Sequence, residues 1–270
     1  MLVIANNITT RNARIDQAFR QLKAMAWNPA QPMAKMLKEL AEQCVAAGAD
    51  VLEINLQQHH DRPEAMEFAV KTVQQVTERQ LCLSTNNTEA LEAGLRACKR
   101  SPLVNHISID EARLQGMLPL IAKHGADVVL LITDPAKPAS VEEMLKKTAI
   151  LVGAANEMGI PNDSLLVDPG LFHITSDMGQ RHLVEVTEFL RALPETFDPP
   201  VRSTCWVGNI SAGAPKHLRP VIDTALLAML SGLGLSSVFL DVLKRENMRM
   251  VRLINILHNE TIYSDGDVEL

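Results

Sequence analysis

Ala46-Ala47-Gly48-Ala49-Asp50-Val51 and Lys123-His124-Gly125-Ala126-Asp127-Val128 read the same way: a helical pattern stops, a glycine turns the chain, and a strand begins. Glycine suits that slot because it takes the left-handed conformation that closes a helix. Working outward from this repeated joint, the same alternation fills the chain. Strands are expected at 2–5, 51–56, 81–84, 103–107, 127–133, 165–167, 202–207 and 237–240. Helical patterns fall at 12–23, 33–47, 63–79, 87–99, 110–123, from Ser140 onward, 181–193, 215–233 and up to about 258. Ser140-Val141-Glu142-Glu143 carries a capping box, in which serine and glutamate each satisfy an exposed amide.

Eight strand and helix pairs at roughly thirty residues each match a (β/α)₈ TIM barrel filling 1–270 as a single domain. The strands are short continuous apolar runs, as parallel strands covered on both faces must be. A doubly wound open sheet is the rival, and the missing G-x-G-x-x-G after the first strand counts against its dinucleotide-binding version.

Composition narrows the function. Of 270 residues, 47% are apolar, enough for a large core, and the net charge of −6 comes with no cluster of Lys and Arg to track a phosphate backbone. Nucleic acid is not an expected partner. No apolar run reaches the roughly 18 residues of a membrane span, and the short apolar start is no signal peptide, so a cytoplasmic protein is expected. The cysteines (Cys44, Cys82, Cys98, Cys205) and the histidines, including the pair His59-His60, lack ligand spacing, and no protein-bound metal is expected.

A barrel puts its chemistry where strands end, on the carboxyl face. Those junctions hold Asn6, Asn7, Asn55, Gln57, Ser84, Thr85, Asn86, Asn105, His106, Thr133, Asp134, Asp168, Asn209, Ser211 and Asp241. Amides and hydroxyls dominate, which suits many-point hydrogen bonding of a flat, neutral heterocycle better than clamping of a phosphate. Arg202, the nearest cation, stands at the start of its strand and would have to point inward along the barrel.

At these junctions the chain resembles the methyltetrahydrofolate:corrinoid-protein methyltransferases, which belong with dihydropteroate synthase among pterin-binding barrels. The resemblance rests on Leu52-Glu53-Ile54-Asn55, on Leu81-Cys82-Leu83-Ser84-Thr85-Asn86-Asn87 running on to Glu92-Ala93-Gly94-Leu95, and on Val104-Asn105, Val167-Asp168-Pro169 and Gly208-Asn209-Ile210-Ser211. Arg219-Pro220 also fits.

The resemblance implies that Asn105 and Asp168 hydrogen-bond the pterin ring and that Asn209 reaches N5, the atom carrying the methyl group. It also implies that Asn55, Ser84, Arg202 and Ser211 belong to the same substrate-binding neighbourhood. Tetrahydrofolate or methyltetrahydrofolate would be the substrate, and a corrinoid (cobalamin) would come on a partner corrinoid protein, since no carrier unit follows the eighth pair. A homodimer is implied too. Two departures stand out. Ser84 replaces the family's usual strand-three Asp, and Asn6-Asn7 replace a Glu-Arg pair; such changes fit a branch that methylates tetrahydrofolate.

Other readings stay open. Asn86 or Asn87 could cap the following helix, Asn86 with Glu89 completing a box, and Asp168 before Pro169-Gly170 could serve only a turn. A dihydropteroate synthase-like enzyme would need a Pro-Asp-Ser-Phe continuation that Asn7-Ile8-Thr9-Thr10-Arg11 lacks. A non-catalytic pterin-binding subunit is the remaining alternative.

Overall fold

The structure is a computed structural model describing residues 1–24, 27, 32–57, 61–134 and 137–269. The expectations on His59-His60 fall outside the described residues. Eight parallel strands run in the order β7-β6-β5-β4-β3-β2-β1-β8. They are β1 (Leu2–Thr9), β2 (Val51–Asn55), β3 (Gln80–Ser84), β4 (Leu103–Ile107), β5 (Asp127–Leu131), β6 (Leu165–Asp168), β7 (Arg202–Ser203) and β8 (Ser237–Leu240). The open edges meet through the bridge Trp206–Phe239, where the Phe239 N–H donates to the Cys205 carbonyl at 2.8 Å. The expected TIM barrel is therefore what forms.

Helices coat the outside: α1 (Ala13–Ala24), α2 (Pro32–Ala47), α3 (Pro63–Val73), α4 (Thr88–Ala97), α5 (Glu111–Gly116), α6 (Leu118–Lys123), α7 (Val141–Glu157), α8 (Asp177–Thr196), α9 (Arg219–Ser231), α10 (Arg245–Leu257) and the short α11 (Asp265–Glu269). Their apolar faces and the outward strand residues, such as Leu52, Ile54, Leu81 and Leu83, form one continuous layer. The α7 capping box forms as read, with the Glu143 N–H donating to Ser140 Oγ at 3.2 Å and the Ser140 N–H to Glu143 Oε2 at 3.0 Å. The helix expected over 110–123 instead breaks at Met117, ahead of Pro119, which cannot donate within a continuous helix.

Because strand side chains alternate, each strand sends every second residue inward. Ile4, Val51, Cys82, Leu103, Val129, Leu166 and Phe239 fill the barrel with a separate apolar plug. One rung higher the inward column changes character. Val51 leads to Glu53 and Asn55, Cys82 to Ser84, Leu103 to Asn105, and Leu166 to Asp168, and all five polar residues are buried. The register aligns Asn55 with Ser84 and Ser84 with Asn105, so the polar rung is continuous across three strands.

Two boundaries differ from the sequence reading. β1 runs on to Thr9, so Asn6 and Asn7 lie within it; Asn7 Nδ2 donates to Asp241 Oδ1 and Asn7 Oδ1 accepts from the Val242 N–H at 3.2 Å, tying β1 to the loop after β8. The apolar run 202–207 is a strand only at its start. Val207–Asn209 then winds into a 3₁₀ turn, which lifts Asn209 out of the sheet and leaves it exposed.

Candidate pterin site

At the carboxyl end of the barrel lies a cleft of about 220 Å³. Its polar lining comes from Asn55 on β2, Asn105 and His106 on β4, Thr133 after β5, Asp168 on β6 and Asn209 after β7, with Arg11 and Gln57 at the edge. Leu131, Leu171, Phe172 and Trp206 supply apolar surface. Of the residues that the resemblance assigned to the site, Asn55, Asn105, Asp168 and Asn209 thus face one opening.

Glu53 organises the floor. Its Oε1 accepts from the Ser84 hydroxyl, from Asn105 Nδ2 at 3.2 Å and from Asn55 Nδ2 at 3.2 Å. Asn105 Nδ2 also donates to Ser84 Oγ at 3.0 Å. The donor and acceptor accounting then fixes the asparagine. Ser84 gives its only proton to Glu53, so it can only accept from Asn105, whose Nδ2 points down at both of them. The Asn105 Oδ1 is left for the cleft, as an acceptor. Asn55 is held likewise, with its Oδ1 accepting from the Gln57 N–H at 3.3 Å.

Asp168 ends β6 at the cleft. Its Oδ1 accepts from the Gly170 N–H at 2.8 Å, closing a turn in which Gly170 has φ +69° and lies so close to Thr133 that an added Cβ would come within 3.1 Å of the Thr133 Cβ. Thr133 Oγ1 donates to the Pro169 carbonyl. From α8, His182 reaches the Gly170 carbonyl at 3.2 Å and meets the Phe172 ring edge-on at 4.8 Å, bracing the loop from behind. Turn chemistry and cleft access therefore coexist at Asp168.

Burial pushes both carboxyls up to about 7, against hydrogen bonds to Glu53 from Ser84, Asn105 and Asn55 and to Asp168 from Gly170. The Glu53 Oε2 is buried without a hydrogen-bond partner among the described residues. His106, by contrast, is driven down to about 4 by burial and then by Arg113, and so stands neutral in the wall. Arg11 approaches from the β1–α1 connection, with its guanidinium carbon 5.8 Å from the Trp206 ring centroid. Trp206 in turn stacks on Phe239 at 5.2 Å, seating the aromatic surface on the barrel plug.

The remaining expectations land elsewhere. Ser84 is fully buried under Asn105 and does not line the cleft. Arg202 does point into the barrel, but at its amino end. It pairs in register with Leu166, two residues before Asp168, and its Nη2 lies 3.9 Å from the Asp127 carboxylate at the start of β5. A residue that opens its strand is at the wrong end for a site built where strands finish. Ser211 is buried behind the 3₁₀ turn, hydrogen-bonded to Asp223 of α9. Asn87, not Asn86, caps α4, accepting from the Ala90 N–H at 2.9 Å, while Asn86 Oδ1 accepts from Arg113.

The sequence reading passed over Glu53, Arg11 and Trp206 as site residues. Glu53 left a signal: a lone carboxylate in an apolar strand, two residues before Asn55 and therefore on the same face.

Comparison with known proteins agrees with this geometry. Residues 31–214, well over half of the chain, match the family described as pterin binding enzyme. The chain belongs to the pterin-binding enzymes. Among curated relatives of this pterin-binding enzyme, the methylcorrinoid:tetrahydrofolate methyltransferase of Eubacterium limosum is 23% identical over 188 residues, 68% of each chain. The methionine synthase of Mycobacterium tuberculosis is 27% identical over 175 residues, which are 61% of this chain but 14% of that much longer protein. In fold, it resembles the dihydropteroate synthases of Yersinia pestis, with a TM-score of 0.68, 15% identity and coverage of 96% and 94% of the two chains, and of Xanthomonas albilineans, with 0.68, 16%, 97% and 94%.

Proposed function

We propose that this protein moves a methyl group between N5 of tetrahydrofolate and the cobalt of a corrinoid carried by a separate corrinoid protein, in the direction of tetrahydrofolate methylation. The observation that carries this reading is the placement of Asn209. Its side-chain amide has no hydrogen-bond partner among the described residues, and it faces the cleft above a floor of preset acceptors. The acceptors, Asn105 Oδ1 and the Asp168 carboxylate, complement the amino and imino donors along one edge of a pterin. The likeness to a methylcorrinoid:tetrahydrofolate methyltransferase supports the same direction.

In that direction N5 attacks the methyl carbon, the pair of electrons in the cobalt–carbon bond stays on cobalt, and the N5 proton leaves to water. The chain's part is to hold the ring and aim N5. The Asp168 carboxylate and Asn105 fix the ring edge, Trp206 and Phe172 offer apolar faces, and the Asn209 side-chain oxygen accepts from the N5–H, a bond that tightens as N5 gains positive charge. A preset dipole at the atom whose charge changes lowers the barrier without reorganising solvent.

A dihydropteroate synthase-like condensation is the second reading, prompted by the shared fold. It must hold a diphosphate leaving group, and among the described residues lining the cleft Arg11 is the sole cationic side chain, His106 being neutral.

The test is to follow the cobalt spectrum with methylcobalamin plus tetrahydrofolate, and with reduced cobalamin plus methyltetrahydrofolate. Folate-dependent spectral change is expected in both, faster in the first. Pterin binding with no change in either, also when a corrinoid protein is supplied, would overturn the reading in favour of a non-catalytic subunit.

A further inference from the structure

Asn209 stands on a turn, and a turn is only as accurate as its anchors. The 3₁₀ turn Val207–Asn209 is closed by the Asn209 N–H donating to the Trp206 carbonyl at 3.2 Å and the Ile210 N–H donating to the Val207 carbonyl at 3.1 Å. Gly208 at its centre has no described neighbour within 4 Å of the place a Cβ would occupy, so the turn gains no packing there. We propose that Trp206 is a positioning residue for methyl transfer, its ring holding the turn that aims Asn209 into the cleft; the inference rests on the role given to Asn209 above.

The turn straddles the barrel wall. Val207 and Ile210 are buried in the outer layer between strands and helices. Trp206 faces the other way. Alternation along the chain carries it inward like Arg202, and its ring packs on the apolar plug inside the barrel. There it stacks on Phe239, with ring centroids 5.2 Å and planes 18° apart. The backbone repeats the contact, since Trp206 forms a parallel bridge with Phe239, whose N–H donates to the Cys205 carbonyl at 2.8 Å. Phe239 is itself fixed, fully buried and in register with Ile4 of β1. At the mouth, the guanidinium carbon of Arg11 lies over the Trp206 ring, 5.8 Å from its centroid and within reach of a cation–π attraction.

The two outer anchors set where the turn sits but leave it free to tilt about the line that joins them. The ring inside the barrel removes that freedom. Tilt matters because a hydrogen bond at N5 tolerates only a few tenths of an ångström, and misplacing a catalytic group by about 1 Å can cost about 10²-fold in rate.

The experiment is a double-mutant cycle on the rate of methyl transfer from methylcobalamin at saturating tetrahydrofolate. Trp206→Ala should slow that rate by at least about tenfold. Trp206→Phe, which keeps an aromatic stack on Phe239, should recover most of the loss. Added to Asn209→Ala, which by itself costs about 10²-fold, Trp206→Ala should slow the reaction by less than about twofold more, because a turn without its asparagine has nothing left to aim. Phe239→Leu changes none of the described cleft-lining residues. It should give a smaller loss with the same non-additivity and little change in tetrahydrofolate affinity, and it keeps the test decisive should Trp206→Ala fail to fold. Losses that multiply would overturn the proposal, since Trp206 would then act apart from Asn209, as cleft wall or as core. So would Trp206→Ala that binds tetrahydrofolate more weakly yet turns over at the wild-type rate when saturated, and so would Trp206→Phe no faster than Trp206→Ala. No methyl transfer by wild type, or wild-type turnover in Asn209→Ala, is a different result: it defeats the functional reading itself, and this inference with it.

Discussion

The Ser84 hydroxyl donates to the Glu53 carboxylate on the adjacent strand, and Asn105 Nδ2 donates to both. A serine in the strand-three position thus works with a carboxylate from strand two. The carboxyl group that strand three does not bring is present one strand away, under the same asparagine.

Loss of that hydroxyl should be felt in binding more than in folding. Ser84→Ala leaves Asn105 its bond to Glu53 but removes the second acceptor that the same Nδ2 shares, so the amide is held less firmly. We expect about 1–2 kcal/mol of lost stability in urea unfolding and a fall in pterin affinity of up to about tenfold. Unchanged affinity would show that Ser84 is only core.

Glu53 makes the unliganded protein sensitive to pH. Its carboxyl is raised to about 7 in the fold from an ordinary value near 4.5, as Asp168 is from 3.8. Raised carboxyls contribute stability that is complete below the unfolded values and is lost as pH rises through about 7. Urea midpoints should fall between pH 5 and pH 8, and by less in Glu53→Gln, which cannot ionise. Parallel curves for the two proteins would remove Glu53 from the account.

For Asp168 the ligand reverses the sense. Ring donors bind the ionised carboxylate, so pterin affinity should rise with pH through about 7 and binding near pH 6 should release protons. Asp168→Asn should weaken binding by about 1.5–3 kcal/mol, the worth of a charge-assisted bond, and flatten that pH dependence. Calorimetry in buffers of different ionisation enthalpy reads both; an unaltered dissociation constant would place the ring elsewhere.

Asn209→Ala should fold normally, because the side chain is exposed and unbonded among the described residues. Methyl transfer should slow by about 10²-fold, the scale for a removed transition-state hydrogen bond, with little change in tetrahydrofolate affinity. Wild-type turnover would sink the assignment.

The glycine of Glu92-Ala93-Gly94-Leu95 has a packing role. A Cβ on Gly94 would come within 2.8 Å of Met66 Cγ on α3 and 2.9 Å of Leu83 Cδ1 on β3. Gly94→Ala should therefore destabilise by about 1–3 kcal/mol, despite alanine's better helix propensity, with pterin affinity retained in the folded fraction.

The sequence alone determined the barrel, because alternating helix stops and buried parallel runs are local patterns that recur eight times. It also brought Asn55, Asn105, Asp168 and Asn209 into view, because strand ends are where a barrel keeps its polar groups. Tertiary structure decided which polar residues meet. Glu53, Ser84 and Asn105 are joined by register across three strands, and only that pairing shows the carboxylate beneath the serine. Arg202 was misplaced for the same kind of reason: residue type gave its charge, but its rung at the barrel's amino end gave its partner, Asp127. The exposure of Asn209, too, came from the chain leaving the sheet for a 3₁₀ turn where an apolar run had suggested a longer strand. Periodicity says which face a side chain takes; only the closed barrel says what stands across from it.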